Sequence, residues 1–178
     1  MPNTITIPAA RGRLVRPALK TILLACLVAG TLDICYAVIT WGPVFGKLTA
    51  ARLLQGIAGT LIGKNAFTGG AATALVGLLM HYCISLAWCA LYFLIFPYIP
   101  ALSKNKWASG LVYGIFVWLM MSILIVPLVT GRAYHFETIA FLKSIAPMLL
   151  LFGPAIALII HRHYFTVTIG RINAPQSE

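Results

Sequence analysis

The chain has 178 residues, of which 61% are hydrophobic and only 9% are charged, and a water-soluble domain of this size could not bury so much apolar surface. A soluble enzyme, a disordered chain and a collagen-like chain are therefore excluded, and the composition predicts a single integral membrane domain with the lipid bilayer as its main partner. The net charge of +10 comes from basic residues that flank apolar runs rather than forming one stripe, which indicates membrane topology and contact with anionic headgroups, not nucleic-acid binding.

The chain begins with a basic tail, residues 1–18, that is expected to lack regular structure. An apolar run follows over about 21–41, and since no signal-cleavage pattern accompanies it, we expect a transmembrane helix that is retained. Asp33 interrupts this run. An ionisable group inside a span costs about 2.5–3.5 kcal/mol on insertion scales, so Asp33 should face protein or water. Small residues at helical spacing share its face and predict close packing there: Cys26, Ala29, Gly30, Ala37 and Thr40.

The segment between the first and second spans has a helical pattern of its own. Apolar residues recur at the spacing of one helical face, namely Ala50, Leu53, Leu54, Ile57, Ala58, Leu61 and Ile62. Thr49, Arg52, Gln55 and Thr60 fall on other faces. The pattern predicts an amphipathic interfacial helix over about 48–63, lying on the outer face of the membrane. A re-entrant segment that faces a substrate is the alternative.

The second span, about 71–96, carries no charge but places His81 near its middle, in helical register with Gly77 and Ser85. From the rise of a helix, Asp33 lies about 12 Å and His81 about 15 Å below the same surface. These depths predict a polar intramembrane site in which Asp33 pairs with His81 and Ser85 adds a hydrogen bond. The pair is either a structural clasp between two helices or a proton or substrate site.

A cofactor hypothesis also rests on His81. Gly77 lies four residues earlier and leaves room for a flat tetrapyrrole beside the helix. No second histidine lies at a comparable depth, so the sequence predicts no cofactor and keeps a tetrapyrrole-binding subunit as a minor alternative.

The third and fourth spans are predicted over about 107–129 and 141–160, followed by a tail over 164–178 that is also expected to lack regular structure. Gly110 and Gly114 form a small-residue motif that allows close helix contact, within the bundle or between protomers. Lys143 can extend to the headgroups from the first turn of the last span. Prolines should kink or end helical turns in these spans, at Pro127, Pro147 and Pro154.

The loop before the fourth span contains Arg132, His135 and Glu137. This cluster is either an outer-loop site that gates or binds a ligand or ordinary solvated polarity.

The four cysteines lie inside the spans without a Cys-x-x-Cys motif, and buried apolar packing is the expected role of Cys26, Cys35, Cys83 and Cys89. His161 and His163 are interpreted as part of a basic interfacial ending rather than a metal site.

Orientation follows from the distribution of basic residues. With both termini on one side, that side holds eight of them: Arg11, Arg13, Arg16, Lys20, Lys104, Lys106, Arg162 and Arg171. The other side holds five: Lys47, Arg52, Lys64, Arg132 and Lys143. The excess predicts cytoplasmic N- and C-termini.

Several features follow one another in a recognisable order: a Gly-containing first span ending near Trp41-Gly42, a long outer segment, His81 and Ser85, Phe96-Pro97, Gly110-Leu111-x-x-Gly114, and a late Pro127. In this order the chain resembles the small bacterial inner-membrane proteins related to YagU. The resemblance implies a multi-span protein of the bacterial inner membrane with unassigned activity, and it supplies no catalytic residues.

The sequence contains no nucleotide-binding loop, nucleophile elbow, zinc-protease motif or paired carboxylates, so an enzyme is not expected. The predicted fold is a bundle of four transmembrane helices with an interfacial helix between the first two. The predicted function is that of a binding, accessory or structural membrane component, with self-association or a larger membrane complex as its setting. The alternative is a small oligomeric channel or proton-coupled transporter that uses Asp33 and His81 near the midplane.

Overall fold

The computed structural model describes residues 10–42, 46, 48–131 and 136–172, with side chains described from residue 17 to residue 166 of these ranges. Within them the protein is all-helical and has no strand. Four of its helical segments are long and apolar enough to cross a membrane: Pro17–Trp41, Gly70–Tyr98, Lys106–Thr130 and Thr138–Thr166. Each contains one of the predicted apolar runs. The prediction of an all-α fold with four helices long and apolar enough to cross a membrane is confirmed.

The first two spans are single helices. Helix α1 runs over Ala10–Trp41 and helix α3 over Gly70–Ile95, where a short 3₁₀ turn, Phe96–Tyr98, completes the second span. Between them lie α2, Ala50–Ile62, and a 3₁₀ segment, Gly63–Phe67. A short helix, α4 (Pro100–Lys104), leads into the third span.

The third and fourth spans are each interrupted by a π-helical segment. In the third span, α5 (Lys106–Leu119) and α6 (Val126–Thr130) flank the π segment Met120–Ile125. In the fourth, α7 (Thr138–Pro147) and α8 (Gly153–Ile172) flank the π segment Met148–Phe152.

Each π segment is followed, after one residue, by a proline. Because Pro127 and Pro154 have no backbone N–H, each leaves a carbonyl one turn earlier without its usual partner. In a π turn an amide bonds to the carbonyl five residues earlier, which widens the helix next to the proline. At the ends of the segments, Val126 N–H donates to Met121 O and Gly153 N–H to Met148 O. The predicted disturbance at the prolines therefore takes the form of wide turns inside continuous spans.

The terminal helices extend beyond the predicted spans. Helix α1 begins at Ala10 and α8 ends at Ile172, so the prediction of tails without regular structure is wrong for residues 10–18 and 164–172. In both regions the chain continues the helix of the adjoining span, whose turns are already formed and need no new nucleation. In α1 this continuation runs through Pro17.

Helix α2 lies directly on α3. Its N-terminus is capped by Thr49, whose hydroxyl accepts a hydrogen bond from Arg52 N–H at 3.1 Å. A Cβ on Gly77 of α3 would overlap the carbonyl oxygen of Leu54, so this glycine allows the two backbones to touch. The contact made by Gly77 is therefore with α2.

The faces of α2 differ from the predicted pattern. Gln55, assigned to the polar side, is buried and donates from Nε2 to Gly70 O at 2.9 Å. Leu61, assigned to the apolar face, is 72% exposed. The difference arises because α2 packs on α3, where the side-chain amide of Gln55 finds a backbone acceptor, and apolar periodicity does not report such an interhelical bond.

Glycines also set the contacts among the spans. A Cβ on Gly30 would lie 3.2 Å from Ser85 Oγ, between the first and second spans. One on Gly110 would lie 2.7 Å from Pro154 Cα, and one on Gly114 would overlap the carbonyl oxygen of Met148. The Gly110–Gly114 motif thus packs against the fourth span of the same chain.

Buried tyrosines join the helices by hydrogen bonds. Tyr113 of the third span donates to Trp88 O at 2.7 Å, and Tyr92 of the second donates to Ser109 Oγ at 3.1 Å. These bonds satisfy hydroxyls inside an apolar core at sites that the sequence pattern did not single out.

Contacts at the two ends of the bundle show that the spans alternate in direction. At one end, Lys143 Nζ lies 5.3 Å from the centre of the Trp41 ring. At the other, Thr21 Oγ1 and His163 Nδ1 are 2.9 Å apart, and His161 Nε2–H donates to Ser103 O at 3.0 Å.

The cysteines fall into two groups. Cys26 and Cys89 are buried, but Cys35 and Cys83 are exposed. The prediction of buried packing is therefore wrong for the second pair, because a helix in a small bundle turns part of its surface outward and apolar sequence does not reveal which part.

Candidate ligand cavity

A cavity of about 530 Å³ lies between α2 and the spans. The first span contributes Asp33, and the second contributes His81 and Ser85. Both π-helical spans supply side chains to its wall. The lining is otherwise almost entirely apolar and includes Met80, Trp88, Val117, Met121, Met148 and Phe152. All three residues predicted for the polar intramembrane site thus lie on one cavity.

Asp33 and His81 line this cavity together, but the His81 ring is held by a different group. His81 Nε2–H donates to the carbonyl oxygen of Gly30 at 2.9 Å, not to the carboxylate as predicted. This bond engages Nε2, so Nδ1 is the ring nitrogen that remains available on the cavity side of the site. The aspartate is one helical turn further along α1 than the residue that His81 contacts, which explains why the depth argument placed the two side chains close together.

Gly30 makes this arrangement possible. Its missing side chain allows Ser85 and Tyr82 to approach α1, and it exposes the carbonyl that His81 reaches. Ser85 is only 3% exposed. Thr31 Oγ1 and Tyr82 Oη, 2.8 Å apart, form a second link between the same two helices.

A second cavity of about 490 Å³ adjoins the first. It shares Asp33, His81, Leu53, Gly56 and Ile57 with the larger cavity. The acid and the histidine therefore border both spaces.

Arg52, the base within α2, borders the smaller cavity and not the larger one. Its guanidinium is occupied elsewhere, since it donates to Phe67 O at 3.2 Å and lies 4.9 Å from the centre of the Phe67 ring. Arg52 thereby links the first turn of α2 to the 3₁₀ segment Gly63–Phe67.

The predicted outer-loop site is not assembled by the described residues. Arg132 and His135 lie outside them. Glu137 immediately precedes α7, where its carbonyl accepts from Phe141 N–H at 2.8 Å, and it lines neither cavity.

The segment that forms α2 was considered as a substrate-facing segment only as an alternative, and the contribution of the π segments to the site was not predicted from the sequence. Gly56 of α2 lines the cavity, and a Cβ added there would meet nothing within 4 Å. Met121 and Met148 come from the two π segments. The prolines that follow these segments were the available signal, but a proline alone does not specify a π turn.

Among the described residues no group of three His, Cys, Asp or Glu side chains could hold a metal ion. The chain matches no protein-family model, and no curated protein and no solved structure is significantly similar to it. Fold and cavity therefore define the class: an all-helical protein with four helices able to cross a membrane and an apolar cavity among them.

Proposed function

We propose that this protein is an integral inner-membrane binding protein that holds a small, mainly apolar ligand in the cavity of about 530 Å³. The observation that carries the proposal is the composition of the cavity wall. Ligand sites of 300–1,000 Å³ are typically apolar, with a few convergent polar groups that orient the ligand. Here those groups are Asp33, His81 and Ser85.

The rim of the cavity supports access from the lipid phase. Leu61 of α2 and Val129 of α6 both line the cavity and are 72% and 54% exposed. An apolar ligand dissolved in the bilayer would pass between these two helices. In this proposal α2 lies at the outer membrane surface and covers the cavity from that side.

The cellular setting is part of the same proposal. The excess of eight basic residues over five supports cytoplasmic termini, and the resemblance to YagU-related proteins supports a bacterial inner membrane. The protein acts without catalysis, alone, self-associated or within a larger membrane complex.

The proposal is tested by photolabelling in proteoliposomes with adamantyl diazirine, a neutral apolar probe. We expect label at cavity methionines such as Met121 and Met148, and a loss of that label in Gly56→Phe, which fills the cavity without a backbone clash. Leu75→Phe, on the exposed surface of α3, is the matched control. Label restricted to exposed positions and unchanged by Gly56→Phe would contradict a ligand cavity.

Proton-coupled transport is the second candidate, and the position of Asp33 and His81 on the border of both cavities supports it. Proton flux into proteoliposomes, followed with an internal pH dye, separates the two functions. A transporter gives flux that disappears in Asp33→Asn and persists in Glu178→Gln. A binding protein gives no flux in any of the three.

A tetrapyrrole ligand receives less support. The Nε2 atom that histidine commonly offers to metals is bonded to Gly30 O. Purified protein with a visible absorption band that is lost in His81→Ala would overturn this judgement.

A further inference from the structure

We infer that the ligand of this cavity is an amphiphilic cation, a positive charge carried on an apolar body. The inference rests on the proposed binding function and adds to it the chemical class of the ligand. It follows from the charge balance of the cavity wall, from the type of apolar side chain there, and from the depth of the acid.

The described cavity wall carries an acid and no strong base. Asp33 is the only acid in the four spans, and no Lys or Arg is among the described residues that line the larger cavity. His81 donates Nε2–H to Gly30 O. Arg52 is engaged by Phe67. An ionised carboxylate in an apolar cavity without a counter-charge is unfavourable, and a cationic ligand would supply that charge.

The apolar wall suits a cation with a bulky hydrophobic body. Trp88 and Phe152 provide aromatic rings, whose faces attract positive charge. Met80, Met121 and Met148 provide flexible, polarizable side chains that adapt to ligands of different shape. Three of the five methionines in the chain therefore line this one cavity.

The depth of Asp33 selects among sources of positive charge. Asp33 lies eight residues before Trp41, or about 12 Å along the helix. The ammonium group of a bilayer lipid remains at the interface, whereas a lipophilic cation can enter the hydrocarbon region. A lipid ammonium group and a free lipophilic cation both present a cationic centre, and the lipid composition of the test membrane separates these two sources.

The test compares two ions of matched shape, tetraphenylphosphonium and tetraphenylborate, by equilibrium binding to the full-length protein in phosphatidylglycerol vesicles. We expect saturable binding of the cation and none of the anion. Asp33→Asn should weaken cation binding by at least about tenfold, because the charged partner is lost. Asp33→Glu should retain binding, and Glu178→Gln, which removes a carboxylate elsewhere in the sequence, should leave it unchanged.

Folding of each variant is checked by its melting curve, and Gly56→Leu serves as a second cavity-filling variant if Gly56→Phe melts early. Vesicles that also contain phosphatidylethanolamine test the lipid source, since competition by that lipid would show that a headgroup ammonium reaches Asp33 and would overturn the assignment to a free cation.

The outcomes distinguish this inference from the proposed function. If adamantyl diazirine labels the cavity but both tetraphenyl ions bind equally, or Asp33→Asn binds the cation as the parent protein does, the binding function stands and the cation inference is wrong. If Gly56→Phe changes neither diazirine labelling nor the binding of either ion, the proposed binding function and the cation inference are both wrong.

Discussion

Single glycines decide how closely the helices approach each other. Two of them, Gly77 and Gly56, should respond in opposite ways to substitution by alanine. Gly77 faces the backbone of α2, where a methyl group would overlap Leu54 O, whereas Gly56 faces the open cavity. The same substitution should therefore have opposite effects at the two positions.

We expect Gly77→Ala to destabilise the protein by about 1–3 kcal/mol through overpacking. Gly56→Ala should be neutral or stabilising by up to about 1 kcal/mol, because alanine favours helix and nothing is displaced. Melting curves of both variants in one mild detergent make the comparison. Equal melting temperatures for the two would show that α2 does not sit on Gly77.

A tyrosine hydroxyl provides a second test at the scale of one residue. Tyr113 is 4% exposed and donates to Trp88 O at 2.7 Å. Tyr113→Phe should cost about 0.6–1 kcal/mol, since the carbonyl keeps its bond within α3 and only the interhelical bond is lost. Tyr98→Phe is the control. Because Tyr98 is 83% exposed, this variant should melt at the same temperature as the parent protein. A larger loss at Tyr98 than at Tyr113 would contradict this assignment.

Much of the polar site could be predicted at this scale. Membrane burial makes an ionisable residue costly, so Asp33 and His81 stand out in any apolar run, and the helical rise places them at one level. The partner of His81 could not be predicted, because backbone carbonyls are present at every position and only tertiary packing shows which one is reachable. Gly30 was predicted as a packing residue, but the sequence did not show that its carbonyl oxygen would be the acceptor for His81.

At the scale of helices, the spans were predictable and their internal geometry was not. Long runs without charge identify the spans, because lipid requires them. The π segments at Met120–Ile125 and Met148–Phe152 depend on how each span accommodates the amide that its proline lacks while it packs against the other helices. The buried Gln55 of α2 is a similar case, since its partner, Gly70 O, belongs to another helix.

Removal of a proline tests the link between a π segment and the cavity. Pro127→Ala restores a backbone N–H and favours an ordinary α turn, so residues of the segment should rotate by up to about 100° relative to the bundle. We expect an equal or higher melting temperature together with weaker diazirine labelling of Met121.

Pro97→Ala is the control for this experiment. Pro97 is exposed in the 3₁₀ turn that ends the second span and lines neither cavity, so its replacement should not alter labelling. If Pro127→Ala also leaves the label at Met121 unchanged, packing against the fourth span rather than proline maintains the wide turn.

At the scale of the whole molecule, the apolar runs with their few ionisable residues and the basic residues that flank them act at different places. Apolar runs set the bundle, and Asp33 and His81, which are costly to place in lipid, line one cavity within it. Among the described residues no Lys or Arg lines this cavity, and the basic residues of the sequence flank the apolar runs, where they influence how the bundle is inserted. Insertion and ligand binding should therefore respond to separate mutations.

The orientation prediction can be tested on the intact chain with a reporter fused after Glu178. With eight basic residues on the side of the termini and five on the other, the reporter should remain in the cytoplasm. Replacing Arg11, Arg13 and Arg16 together by Gln leaves five on each side, and we expect a mixed population in which part of the reporter is translocated. The matched variant with Lys at the same three positions keeps the charge and should behave like the parent protein. A translocated reporter in the parent, or a shift that the Lys variant shares, would mean that features other than positive charge orient this bundle.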